Sequence, residues 1–151
     1  MTGAIAPSID SEITWLLHRA AQRMYAVTGE EAVKHGLQLR DYIVLSALHK
    51  TPHLTQVELA TMLGLDKTTL MAQLDRLEQK DLIVRRVDPH DRRARIPEIT
   101  EAGSVVRAQV AGDCGNAEAT ALSGFSENEV ATFRRMLFEI IGDSRDPGSC
   151  L

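Results

Sequence analysis

Residues 66–95 constrain the fold most, because the period of their apolar residues switches from helical to extended within a short span. Leu70, Leu74 and Leu77 recur at i, i+4 and i+7, which places one apolar stripe inward. Thr68, Thr69, Ala72, Arg76 and Gln79 fall away from that stripe, leaving a narrow polar outer face with nothing bulky on it. Residues 82–87 then read as a strand, Asp88-Pro89-His90-Asp91 as turn chemistry, and 95–99 as a return strand. Pro97 has no N–H to donate, so that return strand must lie at a sheet edge. A helix slim enough for a groove stands directly before an arginine-tipped hairpin.

The start of that helix, and of two others, is written in capping residues. Thr55 and Glu58 have the spacing of a capping box, with Leu54 and Leu59 as its hydrophobic staple. Asp66 is placed to cap the next helix, with Leu65 and Leu70 as the staple, and Ser126 with Glu129 repeats the box between Phe125 and Val130. Each cap contributes on the order of 1 kcal/mol. The first of these helices stops at Gly64 and the next starts at Asp66, so two helices are joined by a short glycine turn. That is a helix-turn-helix.

Around it the chain reads as further helix. Ile13, Leu16, Leu17, Ala20, Met24 and Val27 give a helix over roughly 9–35. Ile43, Leu45 and Leu48 give another over 39–50, which Thr51-Pro52 terminates. A long segment over 100–122 contains Gly103, Gly112 and Gly115, and glycine's helix penalty predicts an interruption with a bend near 112–115. A final helix is expected over 127–141 and a frayed tail over 143–151.

At 151 residues the chain is one domain's length, with ordinary apolar and charged content for a globular protein. It has no apolar run of spanning length and no secretory signal, and its two cysteines, Cys114 and Cys150, make no disulfide framework. A cytoplasmic protein without membrane association is expected. The formal net charge of −4 looks unsuited to DNA, but its distribution matters more. Residues 108–151 carry three basic against seven acidic side chains, whereas 84–97 carry five arginines against two aspartates. Base is concentrated on the hairpin.

The most specific stretch runs from Asp66 to Gly103. Asp75-Arg76-Leu77-Glu78, Leu82-Ile83, Asp88-Pro89-His90-Asp91-Arg92-Arg93-Ala94 and Ile99-Thr100-Glu101-Ala102-Gly103 occur in order and spacing, preceded by Gly36-Leu37, Tyr42 and Leu45. In these residues the chain resembles the MarR family of transcriptional regulators. Three positions depart from the family pattern: Asp81 stands where glycine often precedes the strand, Pro97 interrupts the return strand, and Gln38 replaces a frequent threonine cap. The resemblance implies a mainly α (α+β) winged helix-turn-helix with a small β-hairpin wing and N- and C-terminal dimerisation helices. It places the DNA-binding region at 37–100 and the dimerisation helices at 9–36 and 101–142 of one 1–151 chain. It further implies a homodimeric repressor on double-stranded DNA with an inverted-repeat operator, released by a small aromatic or phenolic effector.

The candidate DNA-binding residues are Lys67, Thr68, Thr69, Ala72, Gln73 and Arg76 on the second helix of the motif, and Asp91, Arg92 and Arg93 on the hairpin. Hydroxyls bond bases or phosphates, Gln pairs with adenine, and the alanine methyl suits thymine. Their alternative is a solvated helix face, with Gln73 nearest the buried stripe. Arg76 suits a phosphate or else an acidic neighbour. The resemblance assigns Asp91 to steer Arg93 into a narrow minor groove, with a surface ion pair as the alternative. Arg85, Arg86 and Arg95 divide between phosphates and the domain junction.

Trp15, His18, Tyr42 and Arg107 are candidate effector-pocket residues, with core packing as the alternative for Trp15. His49 and His53 have i, i+4 spacing, but Pro52 keeps them off one helix face, so no metal site is expected. Thiol sensing by Cys114 or Cys150 is an alternative regulatory mode, without a basic neighbour to lower the Cys114 pKa. A winged-helix module that binds protein instead of DNA is another. No nucleophile motif, paired carboxylates or phosphate loop suggests an enzyme, and no cofactor is expected.

Overall fold

The computed structural model describes residues 11–142. The elements are α1 (Ile13–Lys34), α2 (Leu39–Lys50), α3 (Gln56–Leu63), α4 (Lys67–Gln79), β1 (Ile83–Asp88), β2 (Asp91–Ile99), α5 (Glu101–Ala121) and α6 (Glu127–Ile141). This is a mainly helical winged helix-turn-helix, as the sequence predicts. The expected start of the first helix at residue 9 and the expected frayed tail at 143–151 lie outside the described residues.

The caps set the boundaries. Thr55 Oγ1 accepts the Glu58 N–H at 3.2 Å while the Thr55 N–H donates to the Glu58 carboxylate at 3.0 Å. Gly64 ends α3 at φ 62°, a left-handed conformation in which glycine is unstrained. Two residues later the Asp66 carboxylate accepts the Thr69 N–H at 2.9 Å and the Thr69 hydroxyl at 2.6 Å, and α4 begins. Gln38 precedes α2, where the Asp41 carboxylate accepts its N–H at 3.0 Å.

The buried centre is built from Val44, Leu45, Ala47 and Leu48 of α2, Leu59 of α3, Leu70, Leu74 and Leu77 of α4, and Ile83 of β1. Ala32 of α1 and Val110 and Cys114 of α5 close it from the other side. By contrast α6 buries no residue, and Phe133, Met136, Phe138 and Ile140 are exposed on it. Ile13, Leu16 and Tyr25 of α1 are also exposed.

β1 and β2 form a two-stranded antiparallel hairpin with Ile83 opposite Ile99 and Asp88 opposite Asp91. Pro89 and His90 make the turn, and the register shifts between Val87 and Asp88. Pro97 pairs with Arg85 and is buried. In a two-stranded sheet each strand has a free edge, so a residue lacking N–H is tolerated there. The return strand is longer than the sequence indicates, starting at Asp91 instead of residue 95.

Two further differences have physical causes. The glycines of α5 do not interrupt it: one helix runs through all three. Gly103 has a separate purpose, since a Cβ there would lie 2.1 Å from the Leu82 carbonyl oxygen and 2.8 Å from Ile99 Cγ1. That carbonyl accepts the Thr100 N–H at 3.0 Å, and the Thr100 hydroxyl donates to the Asp81 carbonyl at 2.7 Å. The start of α5 is therefore stitched to the lead-in of β1, and only glycine fits the approach. Asp81, where the family often has glycine, sits at φ 59°. Among the described residues no helix is long and apolar enough to cross a membrane.

Candidate nucleic-acid interface

The leucine stripe of α4 faces the core and turns the opposite side of its first two turns outward. Lys67, Thr68 and Ala72 are exposed there, and Thr69 is half-buried. The Thr69 hydroxyl donates to Asp66, so its hydrogen is committed to the cap and its oxygen remains an acceptor. Apart from Lys67, the residues turned outward on these first turns have small side chains, which lets the backbone approach a groove closely.

Two expected contacts are corrected. Gln73 is 2% exposed, packed beside the leucine stripe, with Oε1 lacking a hydrogen-bond partner among the described residues. It does not share the outward face, because residue 73 lies between Leu70 and Leu77 on the helix. Arg76 takes the acidic-neighbour option: its Nη2 lies 3.3 Å from Oδ1 of Asp41 on α2. The local pattern gave no sign of Asp41, which is 35 positions away in the chain.

On the wing, Asp91, Arg92 and Arg93 are exposed at the opening of β2. Asp91 Oδ1 accepts the backbone N–H of Arg93 at 2.9 Å, an Asx turn that shapes the strand start. The carboxylate thus fixes the Arg93 backbone, whereas the family resemblance implied that it steers the side chain. Lys67, Arg93 and Arg95 line one cleft of about 400 Å³ between α3, the start of α4 and the first residues of β2 near the wing turn. Helix and hairpin are thereby brought to a shared cationic surface. The Arg95 guanidinium also donates to the Arg92 carbonyl at 3.0 Å.

The other arginines serve the junction. Arg85 donates through Nε to Glu78 at 3.1 Å and through Nη2 to Asp75 at 2.6 Å, and its backbone N–H also donates to Glu78. This guanidinium holds the Glu78 carboxyl below its usual range, and the two carboxylates in turn raise the Arg85 pKa. Arg86 pairs across the hairpin with Glu98 at 2.8 Å. Asp66 is likewise lowered, first by the Thr69 hydroxyl and then by the Thr69 N–H.

The MarR family's sequence pattern matches residues 35–94, which span the α1–α2 turn, the helix-turn-helix and the wing tip. The chain is similar to the MarR family in sequence over those residues, and to MarR-family regulators in fold. Its fold is similar to that of a MarR-family transcriptional regulator from Rhodococcus sp. RHA1, with a TM-score of 0.83 and 25% identity over 92% of this chain and 100% of that one. A probable transcriptional regulator from Pseudomonas aeruginosa matches with a TM-score of 0.79 and 26% identity, covering 89% of this chain and 100% of its own. CouR from Rhodococcus jostii RHA1, solved bound to p-coumaroyl-CoA, shares the fold with a TM-score of 0.79 and 24% identity, covering 92% and 98%.

Of the four effector candidates, Trp15 and His18 meet each other. Trp15 and His18 stack with ring centroids 5.8 Å apart on the N-terminal part of α1, with Arg19 over Trp15. The contacts that tie α1 to α5, Cys114 Sγ to the Thr28 carbonyl and His35 to Asp113, lie at its other end. At 1.5 Å rise per residue, Trp15 is about 20 Å from Thr28. Tyr42 packs against the core, while Arg107 is half-buried with its Nε unpartnered among the described residues. Burial raises the Cys114 pKa, and Cys150 lies outside the described residues.

Proposed function

We propose that this chain is a sequence-specific transcriptional regulator that binds an inverted-repeat operator as a homodimer and represses from it. The observation that carries the reading is the joint surface of α4 and the wing. Lys67, Thr68, Thr69 and Ala72 offer small, polar and cationic groups at the first turns of a helix, beside Asp91, Arg92 and Arg93 of the wing. In this reading Thr68, Thr69 and Ala72 meet base edges, Lys67 meets phosphate, and Arg92 or Arg93 enters the adjacent minor groove. Gln73 is left out, because its side chain is buried.

The dimer is supported by apolar surface that nothing among the described residues covers. Helix α6 has exposed Phe133, Met136, Phe138 and Ile140, and α1 has exposed Ile13, Leu16 and Tyr25. A helix of this length is marginal by itself in water and draws its stability from a buried face. A two-fold dimer joined there sets its recognition helices about one DNA turn apart.

Release is proposed to come from a small aromatic or phenolic effector that binds a dimer with wrongly spaced recognition helices. The p-coumaroyl-CoA bound by CouR supports that chemistry, and the unpartnered Nε of Arg107 is the candidate donor for it. A ligand moves this equilibrium only through its differential affinity for the two arrangements. Thiol sensing is disfavoured, since burial holds Cys114 in its unreactive thiol form.

The test is selection from random duplex DNA, followed by anisotropy titration of the selected site at two salt concentrations. Enrichment of an inverted repeat, with affinity that falls steeply as salt rises, is the expected result. Absence of enrichment and of salt dependence would refute DNA reading and leave a protein-binding winged helix.

A further inference from the structure

We propose that Arg76 is a positioning residue and not a DNA contact: through the buried Asp41 it fixes the rotation of α4, and so the direction in which Thr68 and Ala72 face. The inference rests on the DNA-reading proposal above and concerns what orients the reading surface.

Asp41 is 2% exposed, and both of its oxygens are engaged. Oδ2 accepts the Gln38 N–H at 3.0 Å, which ties the carboxylate to the first turn of α2. Oδ1 lies 3.3 Å from Arg76 Nη2, which ties the same carboxylate to the last turn of α4. The aspartate is therefore anchored by its own helix and gives Arg76 a fixed address. The Arg76 side chain is 43% exposed, so its guanidinium meets Asp41 at one corner and water elsewhere.

A leucine stripe alone does not set helix rotation sharply. Leu70, Leu74 and Leu77 are alike as apolar knobs, so their stripe sets the inward side of the helix more coarsely than a directional polar contact does. One residue's step turns the helix by about 100°, enough to carry Thr68 and Ala72 out of a groove. The ion pair, buried on its aspartate side, opposes other rotations of the helix, because any roll that parts it leaves the Asp41 carboxylate without a counter-charge. The same logic keeps Arg76 from DNA. A phosphate would compete with Asp41 for the guanidinium, and turning Nη2 toward it would leave the buried carboxylate without its counter-charge.

The test uses the full chain as the dimer, with the DNA site obtained by selection and a scrambled duplex of equal length. Arg76→Gln, Arg76→Lys, Asp41→Asn and the Asp41→Asn/Arg76→Gln double variant are titrated over a range of salt, with circular-dichroism melts alongside. A positioning role predicts a loss of about ten- to a hundredfold in affinity for the selected site in Arg76→Gln. Affinity for scrambled DNA and the slope of log K against log salt stay as in the wild type. Arg76→Lys does not rescue, because an ammonium on a shorter, differently shaped side chain does not put an N–H where Nη2 meets Asp41, and the double variant is no worse than the weaker single one.

A phosphate contact predicts the opposite pattern. Arg76→Gln would lower the salt slope by about one, weaken both DNAs alike and be rescued by lysine, and that result overturns the inference. If Asp41→Asn fails to fold, Arg76→Gln and Arg76→Lys decide the matter alone, since their slope and their ratio of selected to scrambled affinity need no aspartate variant. A wild-type chain that binds neither DNA removes the DNA-reading proposal and this inference together, whereas a changed slope in Arg76→Gln removes only the inference.

Discussion

Replacing Arg85 by glutamine should loosen the wing from the recognition helix, and its cost is calculable from the contacts. The Arg85 side chain is 17% exposed and meets Glu78 through Nε at 3.1 Å and Asp75 through Nη2 at 2.6 Å. A hydrogen bond to a charged group contributes about 1.5–3 kcal/mol when shielded. Glu78 and Asp75 are each roughly half exposed, so water recovers much of that loss, and two such bonds on one guanidinium are not additive. We expect a net destabilisation of about 2 kcal/mol, lowering the melting temperature by roughly 4–8 °C for a chain of this size. Glu78→Gln should cost more than Asp75→Asn, because Glu78 also accepts the Arg85 backbone N–H at 3.1 Å. Urea denaturation followed by circular dichroism measures both. A change below about 0.5 kcal/mol in Arg85→Gln would show that the cluster is a solvated surface pair and that the wing is held by Ile83 and Ile99 alone.

The remaining predictions follow from single contacts. Gly103→Ala should destabilise by about 3 kcal/mol, since the new Cβ would sit 2.1 Å from a Leu82 carbonyl already hydrogen-bonded to Thr100; a midpoint of unfolding equal to wild type would refute the close approach. Arg93→Ala should weaken binding to the selected DNA by about 1–3 kcal/mol and reduce its salt slope by about one while leaving the melting temperature unchanged, and retained affinity would exclude the wing from the interface. Asp66 and Glu78 have folded pKa values lowered by Thr69 and Arg85, so their stabilisation is complete above the unfolded carboxylate range of about 4 and is lost as pH falls through the folded values. Urea midpoints should therefore be insensitive to these two groups from pH 7 to about 5 and drop below about pH 4, and replacing both by their amides should flatten that drop. Cys114 should react with a thiol reagent only at the rate of unfolding, because it is buried against the Thr28 carbonyl; rapid reaction of the native Cys150→Ser variant would reopen thiol sensing.

What could be read from the sequence divides by the range of the interaction that decides each feature. The cap of α3 involves residues three apart, Thr55 and Glu58, and that of α4 involves Asp66 and Thr69, so a linear scan finds them and the helix-turn-helix with them. The outward side that holds Thr68 and Ala72 is legible for the same reason, because a three-leucine stripe marks which side is in, while the finer rotation is left to polar contacts such as that of Arg76 with Asp41. Gln73 shows the limit of that argument: a position beside the stripe is placed by neighbouring elements, and here they cover it. The partners of Arg76 and Arg85 are chosen by tertiary contact. Asp75 and Glu78 are near enough to Arg85 in sequence to be guessed as a junction, whereas Asp41 on another helix leaves no local trace. Any meeting of the effector candidates depends on tertiary contact in the same way. A one-turn spacing correctly puts Trp15 beside His18, yet nothing in that spacing brings either to Arg107 on α5. Glycine is the instructive case, since Gly103, Gly112 and Gly115 look alike as helix breakers. Only at Gly103 does the surrounding structure need the missing side chain, because only there does another backbone press against it.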